Sequence, residues 1–333
     1  MKKYLLPQNG TFYKANLHCH TTVSDGGMTP EEVKKYYKEN GYSVVAFTDH
    51  DVLVPHPELV DESFLPLNGY EMEVDEIKDC KDRFKKSCHM CFISIEPDNL
   101  KQVCFHRSKY FFGNAVNYTD KIQYDENISD YEREYTHENI NQMMETGRQN
   151  GFFVTYNHPS WSLENYSDYM GYDNMHAMEI YNNECNLLGY CDYNEKEYDD
   201  MLRGGKHIYC IATDDNHSKE SCCGGFTMIK AKKLGYKEIT NALVDGCFYA
   251  SNGPLIHSLW FEDGKIHIDS SDAASIRLNT GSRRAKTVKA AENSVVNSAD
   301  FEVFREDEYV RITITDSKGN HANTNAYFTN ELF

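Results

Sequence analysis

Short apolar runs that each stop at a histidine or a carboxylate recur along this chain, and no other feature restricts its fold as strongly. "VVAFTDHD" ends on His50, "FLPLNGYEMEV" carries Glu71, "CHMCFISIE" carries His89 and "GFFVTYNHPSW" ends on His158. "MHAMEIYNNE" brings Glu179 and Asn182, and "HIYCIATDDNH" brings Asp214, Asp215 and His217. Helix-like segments separate several of these runs, at 135–150, 195–203 and 236–245. Another spans residues 30–40, with Thr29 as N-cap, Pro30 at the first helical position, Glu31 and Glu32 in the first turn and Gly41 as the stop. Strand, helix, strand, with polar residues gathered at the strand ends, predicts a parallel α/β barrel whose site lies at the C-terminal rim. After "FYASNGPLI" the pattern changes to period-two alternation broken by turn residues, as in "ASIRLNT", "DFEVF" and "YVRITITDSKGNHANTNAYF". The expected division is therefore a barrel over residues 1–253 and a small antiparallel β domain over 254–333, with the boundary near Pro254. Val310, Ile312 and Ile314 are expected to face inward, and Arg311, Thr313 and Thr315 outward. The acidic, tyrosine-rich segment 110–135 reads as a long loop at the rim.

Charge and cysteine usage narrow the function. A net charge of −18 over 333 residues argues against a protein that coats nucleic acid, since such affinity comes mainly from Lys and Arg. It leaves room for a small anionic substrate, because bound divalent cations can reverse the local sign. No run approaches the roughly 18 apolar residues of a membrane span, and the start "MKKYLLPQNG" offers only Tyr4, Leu5 and Leu6 before Pro7. The expectation is a cytoplasmic protein with no membrane segment. Eleven scattered cysteines fit reduced thiols, and Cys88-x-x-Cys91 lacks the second pair of a zinc knuckle.

The stretch "KANLHCHTTVSDGG" carries the sharpest signal. On a strand, His18 and His20 point the same way, with Cys19 opposite and Asp25 five residues beyond. Asp215 and His217 repeat the spacing near the end of the barrel order, and Asp214, on the other strand face, is expected to support them. The strand-end residues together are His18, His20, Asp25, His50, Glu71, His89, His158, Asp215 and His217: six imidazoles and three carboxylates. Three metals with about three protein ligands each would leave positions open for water and substrate, as catalytic sites do.

"NLHCHTTVSDG", "FTDHD", "YNHPSW" and "ATDDNH" resemble, in order, the four motifs of the PHP (polymerase and histidinol phosphatase) metal-dependent hydrolases, over about residues 11–253. The C-terminal tail resembles the subgroup labelled CehA/McbA-like. The resemblance implies a distorted seven-stranded β/α barrel and two or three divalent ions, Zn, Mn or Fe. It implies that His18, His20, Glu71 and Asp215 hold one ion, that Glu71 bridges to a second held by His89 and His158, and that Asp25, His50 and His217 hold a third. Asp25 stands where some relatives carry histidine. The implied reaction is hydrolysis of a small phosphorylated metabolite or nucleotide by a metal-bridging hydroxide, with Asp215 or His217 moving the proton. From position alone, Asn157 and Asn182 are expected to orient substrate, and Arg107 and Arg148 to clamp its anionic group. Two alternatives stand beside this reading. The same site suits a carbamate, amide or ester; a non-catalytic metal-stabilised module binding a partner through its β domain is disfavoured by the intact ligand set.

Overall fold

The computed structural model describes residues 2–77 and 84–333. The chain opens with β1 (Lys3–Tyr4) and β2 (Thr11–Asn16), whose buried end leads into the His18 turn. Helix α1 (Pro30–Glu39) starts as expected: Thr29 accepts from the Glu32 backbone, Glu32 reaches back to the Thr29 amide, and Pro30 sits in the first turn. Its buried face carries Val33 and Tyr37, and the Tyr37 hydroxyl donates to Asp214 Oδ2 at 2.8 Å, tying the helix to the site. β3 (Val44–Phe47) is wholly buried and lies parallel between β2 and β4 (Leu65–Asp75).

β5 (Ser87–Ser94) and β6 (Phe152–Tyr156) follow, the latter after helix α2 (His137–Gln149). Short helix α3 (Tyr166–Tyr169) leads to β7 (Ala177–Asn182), then α4 (Asn183–Leu187), α5 (Glu195–Arg203) and β8 (Tyr209–Thr213). β9 (Phe226–Ala231), α6 (Tyr236–Val244) and β10 (Phe248–Ser251) complete this part.

The parallel seven-stranded barrel needs correction in two respects. β4, β5 and β6 pair antiparallel, while β6, β7 and β8 are parallel. The reason lies in the connection: only residues 76–86 separate β4 from β5, too few for the crossover of a dozen or more residues that a parallel pair requires. Nor does a hydrogen-bonded ladder close the sheet. Its order runs β10, β9, β2, β3, β4, β5, β6, β7, β8, with β9 antiparallel to β2. The two ends meet through an isolated Cys19 to Asn216 bridge and through Thr227 Oγ1, which bonds the Ala212 backbone. The result is a curled mixed sheet with the ligand-bearing strand ends brought to one rim.

From Ile256 onward the chain is strand apart from short helical turns: β11 (Ile256–Glu262), β12 (Lys265–Ala273), β13 (Ser275–Thr280), β14 (Lys286–Lys289), β15 (Val296–Glu302), β16 (Tyr309–Thr315), β17 (His321–Thr324) and β18 (Tyr327–Phe328). All their pairings are antiparallel. They divide between two layers. β1, β11, β12 and β15 make a separate sheet, whereas β17, β16, β13 and β14 extend the main sheet beyond β10. Ile266 and Phe301 of the first layer share one core with Ile276, Val310, Ile312 and Ile314 of the second.

Val310, Ile312 and Ile314 thus face a core as expected, but Arg311 and Thr313 are buried as well. Helix α5 covers their face. Arg311 donates from Nε to Asp199 Oδ1 and from Nη2 to Asp199 Oδ2, both at 2.8 Å, and Nη2 also reaches Glu195 Oε1 at 3.0 Å. Among the described residues, no helix is long and apolar enough to cross a membrane.

Candidate metal centre

Each of the nine strand-end residues reaches one small volume. His18 Nε2 and His20 Nε2 lie 3.0 Å apart, and each is within 3.2 Å of both Glu71 and Asp215. His89 Nδ1 is 3.2 Å and His158 Nε2 3.5 Å from Glu71 Oε1. His50 Nδ1 is 3.4 Å from Glu71 Oε2, so Glu71 stands at the centre. Asp25 lies toward the rim, 3.3 Å from His217 Nε2 and 3.6 Å from His20 Nδ1. His20, Asp25, His50 and His217 form one group spaced for a shared cation, His18, His158 and Asp215 a second, and His50, Glu71 and His89 a third.

A loop held from below delivers the first of these. Asp49, at the end of β3, accepts from the Thr21 and Ser24 backbone amides and from both hydroxyls. Gly26 is obligatory in that loop, since a Cβ there would stand 2.5 Å from the His20 carbonyl. Two of the converging residues adopt strained backbones, His158 at φ 25° and Asp215 at φ 51°, as does Asp51 beside His50 at φ 56°. Such conformations persist where surrounding contacts over-determine them. Asp51 is locked by the buried Arg133, which pairs with its carboxylate and donates to the Glu73 carbonyl at 2.9 Å.

The imidazoles are oriented as metal-binding histidines are. Glu179, wholly buried on β7, accepts from His18 Nδ1 at 2.8 Å, which leaves the Nε2 lone pair aimed at the cluster. His217 donates from Nδ1 to the Asp215 carbonyl, and His158 Nδ1 lies 3.2 Å from Ser162 Oγ, leaving their Nε2 atoms pointing the same way. Glu179 also accepts from the His158 amide, Asn182 Nδ2 and Thr213 Oγ1. It is the residue that strand-end reading placed but gave no role. Asp214 fills its expected supporting part, accepting from the Cys223, Gly224 and Gly225 amides.

Electrostatics show that the cluster lacks positive charge. Burial opposes a charged His18, yet Asp215 and Glu71 outweigh it and hold its pKa well above the usual imidazole value, as Asp215 and Glu71 do for His20. Burial and the charge on His20 then push His50 down to about 3. Glu71 is buried too, but the surrounding imidazoles keep it well below the ordinary carboxylate range. Among the described residues paired with these carboxylates, the positive charge comes from protonated imidazoles. Asp215 Oδ1, His20 Nδ1 and His50 Nδ1 are buried with no hydrogen-bond partner. Unpartnered buried polar atoms are rare and costly. Lone pairs from six imidazoles and three carboxylates fit divalent cations with N and O ligands.

The expected substrate contacts fall elsewhere. Asn157 and Asn182 are fully buried, donating to Glu71 Oε1 at 3.0 Å and Asp215 Oδ2 at 3.1 Å, so they hold the carboxylates rather than a substrate. Arg107 is spent on Asp130 and on the Glu126 and Ile128 carbonyls, away from the cluster. Arg148, in the last turn of α2, donates to the Asn174 carbonyl. Irregular loops give no periodicity from which the inward-facing arginine can be picked, and the one that faces inward is Arg133. A cavity of about 240 Å³ opens beside the cluster, with Phe112, Trp161, Leu188, Glu73 and Glu184 in its walls. Phe112 stacks edge-on to His50 at 5.3 Å, and Trp161 to His89 and His158 at 5.3 and 5.2 Å.

The chain matches the PHP domain family over residues 16–202. It is similar in structure to a two-domain protein from Bacteroides vulgatus that contains a predicted PHP-like metal-dependent phosphoesterase, with 14% identity, 94% of each chain covered and a TM-score of 0.47. It is also similar to an amidohydrolase from Chromobacterium violaceum, with 14% identity, 62% of this chain and 88% of that chain covered and a TM-score of 0.38. A lesion-specific endonuclease from Pyrococcus furiosus aligns at 14% identity over 70% of this chain and 56% of its own, with a TM-score of 0.39. No curated protein matches the chain. The family match spans more than half of the sequence and takes in seven of the nine converging residues, and the chain belongs to the PHP domain family.

Proposed function

We propose that this protein is a metal-dependent hydrolase, and that its reaction is hydrolysis of the phosphate ester of a small metabolite or nucleotide. The observation that carries the reading is the convergence of nine N and O ligand side chains with their lone pairs inward and three buried polar atoms unpartnered. In this reading His18, His20, Glu71 and Asp215 hold one cation. Glu71, His89 and His158 hold a second, and Asp25, His50 and His217 a third. Zn, Mn or Fe ions, two or three in number, would polarise the scissile group and make water acidic enough to attack near neutral pH.

The protein's own groups do the rest. Glu179 fixes the His18 tautomer, and Asn157 and Asn182 hold Glu71 and Asp215. With only the first two sites filled, Asp215 would accept a proton inside the cluster and His217, its ring 30% exposed at the rim and its Nε2 free of metal, would pass it between cavity and solvent. Trp161 and Phe112 cover the imidazoles and exclude water from them. The reading divides the chain into a hydrolytic unit over 1–253 and a β-rich unit over 254–333, and every described residue lining the cavity precedes residue 254.

One observation favours a second reading. Among the described residues, no Lys or Arg lines the cavity, which suits the acyl carbon of a carbamate, amide or ester as well as a phosphate. The test is turnover by metal-loaded protein of phosphate and acyl esters that share one leaving group. Phosphate ester hydrolysis that chelation abolishes is expected. Hydrolysis of the acyl ester alone would favour the second reading, and turnover of neither would leave a metal-stabilised module.

A further inference from the structure

The cavity beside the ligand cluster is polarised. At its inner end stand seven of the nine convergent side chains, all but His18 and His20. Its outer walls are different: Phe112 and Leu188 are about half exposed at the mouth, Trp161 stands edge-on to His89 and His158, and among the described residues the carboxyl groups in these walls are Glu73, 3.5 Å from His89 Nε2, and Glu184. Glu184 is held rigidly in the first turn of α4. Its amide donates to the Asp214 carbonyl at 2.9 Å, and the next amide is capped by Asn182 Oδ1 at 3.0 Å. Its Oε2 is buried without a hydrogen-bond partner. Burying a carboxylate oxygen unpaired is costly, so a donor supplied from outside the protein would be favoured there.

Resting on the hydrolase reading, we infer that this cavity takes a leaving group that is flat and apolar and carries no negative charge, and that Glu184 selects for a hydrogen-bond donor or a cation on it. With cations at the inner end and carboxylates at the outer end, a substrate lies along the charge gradient. Its anionic or carbonyl group enters toward the cluster, its ring rests between Phe112, Trp161 and Leu188, and its neutral or cationic substituent meets Glu184. A second phosphate or a carboxylate on the leaving group would be placed against Glu184, and like charges so placed are disfavoured.

Three aryl substrates test this: phenyl phosphate and its para-aminomethyl and para-carboxylate derivatives. With the metal-loaded protein, kcat/KM for the carboxylate derivative should fall about tenfold or more below the other two. Glu184→Gln should narrow the gap between the aminomethyl and carboxylate derivatives. A second arm needs no turnover. The matching phenols are titrated against the fluorescence of Trp161, with Trp161→Phe as the control for the signal. Tighter binding of the aminomethyl phenol than of the carboxylate phenol supports the inference. Equal handling of the three charges in both arms overturns it, as does failure of all three phenols to bind. Charge-selective phenol binding with no hydrolysis of the three aryl phosphates would uphold the pocket and refute the phosphate ester reading.

Discussion

Two buried charged clusters in this molecule reach electrical balance by opposite routes. Around Arg311, on β16, the protein supplies both signs: the fully buried Arg311 guanidinium meets Asp199 and Glu195 of α5, Arg277 pairs with Glu195 as well, and Thr313 accepts a further bond from Arg311 at 3.0 Å. Around Glu71 it supplies carboxylates and imidazoles alone, and atoms remain without partners. The first cluster is balanced in charge by its own residues and joins the C-terminal strands to the rest of the fold. The second is complete only with a cation, and it lies beside a cavity. A buried charge network therefore points to chemistry where its own residues leave it unbalanced, and to architecture where they close it.

Breaking the open cluster should have the largest effect on activity and little on folding. His158→Ala should lower kcat by well over the 10–100-fold typical of losing a residue that merely orients a ligand, and metal content per chain should fall with it. Full activity with unchanged metal content would remove His158 from the site. Asp25→Ala is expected to be milder, raising KM and responding to excess metal.

Breaking the closed cluster should do the reverse. Arg311→Met removes the buried guanidinium from Asp199 while Arg277 still reaches Glu195, and should destabilise the protein by about 1–3 kcal/mol in denaturant titrations. Metal bound per folded chain should not change; metal loss at full stability would merge the two clusters into one.

A third buried carboxylate sharpens the contrast. Glu164 is closed by hydroxyls: Tyr135 and Tyr156 donate to it at 2.7 and 2.6 Å, and Tyr172 donates as well. Burial outweighs those bonds and pushes its pKa up to about 7, above the ordinary glutamate value of 4.5. A carboxyl raised on folding stabilises fully below its unfolded pKa, and that contribution is lost as pH rises through about 7. Stability should thus decline between about pH 4.5 and 7 by on the order of 2–3 kcal/mol, and Glu164→Gln should flatten the decline. Parallel pH profiles for the two proteins would contradict this.

The smallest expected effect is at Glu179, which holds a ligand without being one. Glu179→Gln should weaken metal binding about 10–100-fold while leaving the fold intact. Calorimetric metal titration measures it, and unchanged affinity would show that the His18 tautomer does not depend on this contact.

That the nine side chains would meet was legible because strand ends in an α/β sheet share one rim; the strand period read into His18/His20 and Asp215/His217 does not hold, since β2 ends at Asn16, β8 ends at Thr213 and Asp215 turns to φ 51°. The roles of Asn157, Asn182 and Glu179 were not legible. Strand position brings a residue to the rim, but hydrogen-bonding partners on other strands decide whether it faces substrate or carboxylate. Strand direction was misjudged at β4–β5–β6 because an apolar run looks the same whichever way its neighbour runs. Arg311 was misplaced because alternation reports one face of a strand, and α5 covers the other. Arg133 was missed in favour of Arg107 because its inward turn depends on Asp51 and on the Glu73 carbonyl, which are far from it in sequence.

The most direct measurement is anomalous diffraction at the Zn, Mn and Fe edges on crystals of the purified protein. At least two peaks are expected within about 2–2.5 Å of the His18, His20, Glu71, His158 and Asp215 ligand atoms, with a further one beside Asp25 and His217 if the third site fills. A chain that crystallises from metal-supplemented buffer with no anomalous peak among these residues would contradict the metal centre itself.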